Sequence, residues 1–238
     1  MARSIVRRIL FVVGCCSLLL LVSTIPADAN TGSWTIVVLP DTQGYTTYNV
    51  SSTVARTFRQ QTQWIVNNVA SERIVFVTHE GDVVQNGGAY STEWQRADEA
   101  MDLLDGVVPY AVAIGNRDYE TPNNRASGAA SFKRYFGPQR YQGRSWYGGS
   151  SGNGLNHYQF FRGGNWTFLH LTLELSAPDT AINWAQSVLN KYPHLPTIVT
   201  THSYQNDVDG RVTNYRFGGN SGEDIWRKLI KRNNQIFM

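Results

Sequence analysis

Apolar and polar positions alternate along this chain in two different periods. Trp34–Leu39, Ile74–Thr78, Tyr110–Ile114 and Thr197–Thr200 are short apolar runs that read as strands. Between them the spacing turns helical. Val54, Phe58, Ile65 and Val69 predict a helix from about Thr53 to Ala70, and Trp94, Ala97, Met101 and Leu104 share one face of a second from about Thr92 to Leu104. Strand alternating with helix is the βαβ signature of a layered α/β domain. Tyr119–Gly154 is rich in Gly, Asn, Arg and aromatics, with a short helix at Ala129–Phe136; so long a polar segment marks a functional loop or lid. Leu155–Phe161 and Trp166–Leu173 predict a hairpin joined across Arg162-Gly163-Gly164-Asn165. Pro178–Asn190 is a helix with Ile182, Ala185, Val188 and Leu189 as its buried stripe, Gly222–Asn233 is the last helix, and Gln235–Met238 reads as the start of another strand. No internal repeat and no linker divides the chain.

The first residues read as an address. Arg3, Arg7 and Arg8 precede the apolar run Ile9–Val22, and Ala27-Asp28-Ala29 offers small residues for cleavage after Ala29. Residues 1–29 are therefore expected to be a signal peptide and residues 30–238 one domain, acting in a secreted, periplasmic or other extracytoplasmic setting. The run is shorter than the roughly 20 residues a membrane span needs. An uncleaved anchor and lipid attachment at Cys15, after Val12-Val13-Gly14, are the alternatives. Cleavage removes both cysteines, Cys15 and Cys16, so the mature chain forms no disulfide and depends on its core. It also removes three arginines and one aspartate, so the formal charge of +3 falls to about +1. Net charge thus gives no support to a nucleic-acid partner. Membrane contact is expected only through the signal segment, and the oligomeric state stays open.

Four strand ends carry polar groups suited to metals: Pro40-Asp41-Thr42-Gln43, Gly81-Asp82, Gly115-Asn116-Arg117-Asp118 and Thr201-His202. Side chains just past strand ends converge at one rim of an open α/β sheet. Carboxylates, amides and an imidazole gathered there suit Mn, Fe, Zn or Mg-type cations. Asp41 and Gln43, two residues apart, point the same way if the backbone is extended. Taken singly, each of these residues is equally well read as a turn or cap residue. His79 reads as a support for the metal ligands or as a strand-interior residue, and His170 as a residue of the pleat. Tyr45, Tyr119, Trp146 and Tyr147 read as packing residues or as the lining of a substrate cleft.

The ordered set of Asp-x-Gln, Gly-Asp, Gly-Asn-x-Asp and Thr-His resembles the calcineurin-like metallophosphoesterases, nearest to a secreted subgroup with Pro-Asp-Thr-Gln at the first motif. The resemblance runs from Trp34 to the last residue. It implies a four-layer α/β/β/α sandwich of two mixed sheets flanked by helices, and hydrolysis of a phosphoester substrate with two divalent metal ions. By position, Asp41 would bind one metal, Asp82 bridge both, and Asn116 and His202 bind the second. Gln43 stands where most of the family has a His ligand. The implied reaction is in-line attack on phosphorus by a metal-bound hydroxide.

Two departures qualify that expectation. The third motif is usually Gly-Asn-His followed by an acid, and here Arg117 replaces the His. Arg cannot act as a general acid near neutrality, yet its forked guanidinium can hold a phosphate oxygen. Asp118, which would orient that histidine in the family, is expected to pair with Arg117. The family also closes its site with Gly-His-x-His after one more strand, and the sequence stops at Met238, inside what reads as that strand. Two carboxylates, two amides and one imidazole would then hold two divalent cations, a poor charge balance. The sequence therefore supports an impaired hydrolase, or a relative that binds phosphate or a partner without turnover.

Overall fold

The apolar runs become the strands of two sheets in the computed structural model, which describes residues 33–214 and 217–237. The expected signal peptide, with Cys15, lies outside the described residues. In chain order the elements are β1 (Thr35–Leu39), α1 (Gln43–Thr46), α2 (Ser52–Ala55), α3 (Thr57–Asn68), β2 (Ile74–His79), α4 (Ser91–Met101) and β3 (Tyr110–Val112). They continue as α5 (Ala130–Phe136), β4 (Tyr147–Ser150), β5 (His157–Gly163), β6 (Trp166–Thr172), α6 (Asp179–Lys191), β7 (Thr197–Thr200) and α7 (Gly222–Lys228). No helix among the described residues is long and apolar enough to cross a membrane.

Three apolar clusters define the layers. Strands β1, β2 and β3 form one sheet in that order, and its outer face buries Val77 and Val112 against Phe58, Ile65, Trp94 and Met101 of the helices. Strands β4 to β7 form the other, where Leu169 and Leu171 pack on Ala181, Ala185 and Leu189 of α6 and on Ile225 of α7. Between the sheets lie Phe76, Ala111, Phe161, Phe168 and Ile198. Hydrogen bonds also cross this interface. His157 Nε2 lies 3.1 Å from the Val112 carbonyl, and Thr78 Oγ1 lies 3.1 Å from Thr200 Oγ1, which His170 Nε2 meets at 2.9 Å. A buried Phe contributes about 1.5–3 kcal/mol and a net hydrogen bond about 1 kcal/mol. Apolar contact therefore dominates, and the polar links fix how one sheet sits on the other.

The four-layer sandwich is the expected architecture, with local differences. The first sheet is parallel throughout its described strands, whereas the second mixes antiparallel and parallel pairs. The first predicted helix is broken at Arg56, where the chain leaves α2 and begins α3. Gly163 pairs with Trp166, so the hairpin turns through two residues rather than four. Strand β4 had no apolar signature because it contains Gly148 and Gly149; the Tyr158 ring occupies the space, lying 2.0 Å from where a Gly148 side chain would begin. Ile236 makes a parallel bridge to Thr197, in agreement with the strand read there.

Candidate metal centre

The carboxyl ends of β1, β2, β3 and β7 bring Asp41, Asp82, Asn116 and His202 together, at the rim where open sheets place ligands. His202 comes from the second sheet and the other three from the first. Asp41, Asp82 and His202 each offer one ligand atom within 4.8 Å of the others.

Tight loop packing fixes this arrangement. Gly81 has φ 104° and Asp82 φ 50°, a left-handed pair unusual for the aspartate. The Asp82 carbonyl accepts from the N–H groups of Thr42 (3.1 Å) and Gln43 (2.9 Å), which docks the first loop on the second. Asp82 Oδ1 accepts from the Arg117 N–H at 2.7 Å, which docks the third. Gly115 lies so close that a Cβ there would sit 2.2 Å from both Asp82 N and Asp82 Oδ1.

Two buried polar residues brace the loops from beneath. Asp118 accepts from the N–H groups of Val83 (2.8 Å), Val84 (3.0 Å) and Gly115 (2.8 Å). Burial, then the nearby Asp82, pushes its carboxyl up to about 7. It does not pair with Arg117 as expected: three backbone donors already claim its oxygens, and the Arg117 guanidinium has no hydrogen-bond or ion-pair partner among the described residues. His79 is both strand-interior and part of the support. Its Nδ1 accepts from Gly81 N–H at 3.1 Å, so Nε2 donates to Thr42 Oγ1 at 3.0 Å, and Thr42 donates onward to the Val83 carbonyl. Burial, then His202, lowers its pKa to about 3 and keeps the ring neutral.

The orientation of His202 shows what the pocket can hold. Its Nδ1 lies 3.0 Å from the Glu80 carbonyl, which can only accept, so Nδ1 carries the proton. Nε2 then faces Asn116 Oδ1 at 3.1 Å and Asp82 Oδ1 at 3.5 Å. An unprotonated Nε2 and the two oxygens it faces repel unless a cation, or a proton on Nε2, lies between them. Metal–ligand bonds of about 2.0–2.2 Å put neighbouring ligand atoms roughly 3.0–3.5 Å apart, in the range of both separations. Asp41 Oδ1 lies 3.7 Å from the ring on its Nδ1 side. Gln43 Oε1 is buried without a hydrogen-bond partner, an acceptor left free in the same loop. The donor set fits divalent metal.

Gln43 reaches its position by another route than expected. The backbone after Asp41 is not extended, because Thr42 has φ −112° and ψ 1° and Gln43 opens α1. The two-residue spacing therefore does not align the pair; docking on Asp82 places Gln43. Burial is the main cause raising the Asp82 pKa, with His202 and the Arg117 N–H opposing it. Glu80, not singled out by the sequence, is shifted upward by burial and then by Asp41, which makes it a further carboxylate at this rim. Glu80 and His202 also border a cleft of about 780 Å³ that reaches Tyr204, Gln205 and Trp226. Tyr119 is buried in the core, and Tyr45, Trp146 and Tyr147 pack against it, so the packing reading of these aromatics holds.

Sequence reasoning also missed Asn123 and the Arg125–Glu174 pair. Asn123 sits seven residues past Asn116 in a loop without periodicity, and no spacing rule links the two.

The fold has solved counterparts. A dimetal phosphatase from Danio rerio superposes with a TM-score of 0.52 at 13% identity, over 86% of this chain and 79% of that one. The purple acid phosphatase PPD1 from yellow lupin gives 0.46 at 14% identity, over 84% of this chain and 36% of its own. The likeness to the Danio rerio structure shows the fold, two sheets packed face to face and flanked by helices. Among curated sequences, the Bacillus subtilis (strain 168) protein described as "Uncharacterized protein YvnB" is 30% identical over 206 residues, covering 86% of this chain. The chain spans about 15% of the length of that relative. No protein-family model matches the chain.

Proposed function

We propose that this chain is a metal-dependent phosphoester hydrolase with a two-metal site. The observation that carries the proposal is His202 Nε2 facing Asn116 Oδ1 and Asp82 Oδ1, on a fold like that of a dimetal phosphatase. Asp41, Gln43 and Asp82 would hold one cation, and Asp82, Asn116 and His202 the other. Bound divalent ions of the Mn, Fe, Zn or Mg class would acidify water and neutralise phosphate charge. The chain's own residues supply the rest. The Glu80 carbonyl holds the His202 proton on Nδ1 and leaves Nε2 free, the arrangement in which imidazole ligates metal. Arg117, whose charge favours the ionised Asp82 and whose guanidinium makes no hydrogen bond or ion pair among the described residues, is the phosphate contact. Asp118 acts beneath it by holding the loops. The sequence of residues 1–29 supports action outside the cytoplasm.

The direct test is metal bound per chain, with Mn²⁺ or Zn²⁺ in equilibrium dialysis. Asp82→Asn keeps the shape and the acceptor for the Arg117 N–H but removes the shared charge. It is expected to lose metal binding more completely than Gln43→Ala. Equal affinity for Asp82→Asn and the parent would sink the assignment.

One observation favours binding without turnover as the second reading: Arg117 stands where a proton donor would serve the leaving group. If the chain does turn over, hydrolysis of activated aryl phosphoesters, which need no proton donor, is expected to exceed that of alkyl esters. Arg117→His should raise the alkyl rate, by up to about 10²–10⁴-fold if proton transfer is what is missing. No gain in metal-loaded protein would put the binding reading ahead.

A further inference from the structure

The Asn116 amide has two ends, and only its oxygen is useful to a cation. Its Nδ2 donates to Asn123 Oδ1 at 2.8 Å, which turns Oδ1 toward His202 Nε2. Asn123 is itself fixed. Its N–H donates to the Asn116 carbonyl at 2.8 Å, and its φ of 66° is a left-handed conformation that Asn tolerates better than most residues. Asn123 thus grips Asn116 through both main chain and side chain.

The loop carrying Asn123 is anchored two residues on. The Arg125 guanidinium pairs with the Glu174 carboxylate and also reaches the carbonyls of Ser176 (3.1 Å) and Phe217 (3.4 Å). Glu174 is almost wholly buried and accepts in addition from Asn153 and Asn156, each at 2.8 Å. Its carbonyl accepts from Thr201 Oγ1 at 3.3 Å, one residue before His202. One buried carboxylate residue therefore steadies both the loop over Asn116 and the strand end that presents His202.

We infer that Asn123 is a positioning residue: it sets the Asn116 amide so that oxygen, not nitrogen, faces the cation shared with His202 and Asp82. The inference rests on the metal reading above. Outer hydrogen bonds to metal ligands are typically worth about 10–100-fold in metal affinity.

Two substitutions separate this role from a turn requirement. Asn123→Gly keeps the left-handed backbone at no steric cost and removes the acceptor. Asn123→Asp keeps an acceptor for Asn116 Nδ2 and also tolerates that backbone. Mn²⁺ titration calorimetry on the full chain, with melting of the metal-free proteins alongside, should show Asn123→Gly binding about 10–100-fold more weakly at a parental melting temperature. Asn123→Asp should bind close to the parent. Parental affinity in Asn123→Gly, or an Asn123→Asp as weak as the glycine variant, would overturn the positioning role while leaving the metal reading intact. No Mn²⁺ binding by the parent chain would overturn both.

Discussion

Gly115→Ala is expected to cost the chain at least about 100-fold in metal affinity, although it adds a single methyl group outside the proposed ligand set. That methyl would lie 2.2 Å from Asp82 N and Asp82 Oδ1 and 2.9 Å from Asp82 Cα. None of these atoms can give way cheaply. Asp82 Oδ1 is held by the Arg117 N–H at 2.7 Å, and the Asp82 carbonyl by two N–H groups of the first loop. Relief requires the second and third loops to part, which moves the bridging carboxylate away from Asn116 and His202. Overpacking of this kind typically costs about 1–3 kcal/mol of stability, so the fold should survive while the site fails. Gly44→Ala is the matched control, with nothing within 4 Å of the added carbon and a helical backbone in α1. Mn²⁺ titration of both variants decides the matter; a Gly115→Ala protein that binds like the parent would show that the loop contact does not place Asp82.

The second large effect is with pH. The metal-free chain is expected to lose stability as pH falls from about 6.5 to about 4. His79, His157 and His170 are buried and neutral, and burial is the main cause lowering their pKa values to about 3, about 4 and about 3. A base whose pKa is depressed on folding contributes stability that is present above its unfolded pKa and lost as pH falls toward the folded one. At pH 4.5 each ordinary histidine sits about two units above ambient pH, worth roughly 3 kcal/mol per residue. Asp118 works in the opposite direction. Its pKa is raised on folding to about 7, so its unfavourable ionised state is relieved on acidification, returning about 3 kcal/mol by pH 4.5. Asp82 and Glu80, also raised by burial, act in the same sense as Asp118, so the carboxylates offset part of the loss while the three rings set its direction. Melting in a chelator at pH 7.5, 6, 5 and 4 should show the fall, with unfolding taking up protons. A melting temperature unchanged from pH 7.5 to pH 5 would contradict the neutral, buried placement of the three rings.

Much of the sandwich was legible in the sequence because the apolar runs and stripes are dictated by burial, and burial is what periodicity records. Phe58 and Ile65 in α3 and Ala185, Val188 and Leu189 in α6 fall inside as read. Strand β4 escaped notice because a neighbour's ring does the packing that its own glycines cannot. At the site, the residue types at the strand ends were legible and their orientations were not. Asp41 and Gln43 share a face only on an extended backbone, yet Gln43 opens α1 and its link to Asp82 places it. Asp118, expected to pair with Arg117, instead binds backbone, since only folding reveals which N–H groups lack partners. Asn123 and Glu174 carry no local signature, because their work is done across loops and between layers.

The split origin of the four converging side chains has a mechanical consequence. Asp41, Asp82 and Asn116 ride on one sheet and His202 on the other, so the gap they enclose works as a caliper spanning the two layers. Any slippage of Phe76 against Phe161, well removed from the rim, would open or close that gap. The aromatic filling between the sheets is therefore part of the instrument, and side chains that touch no ligand can set the bite of those that do.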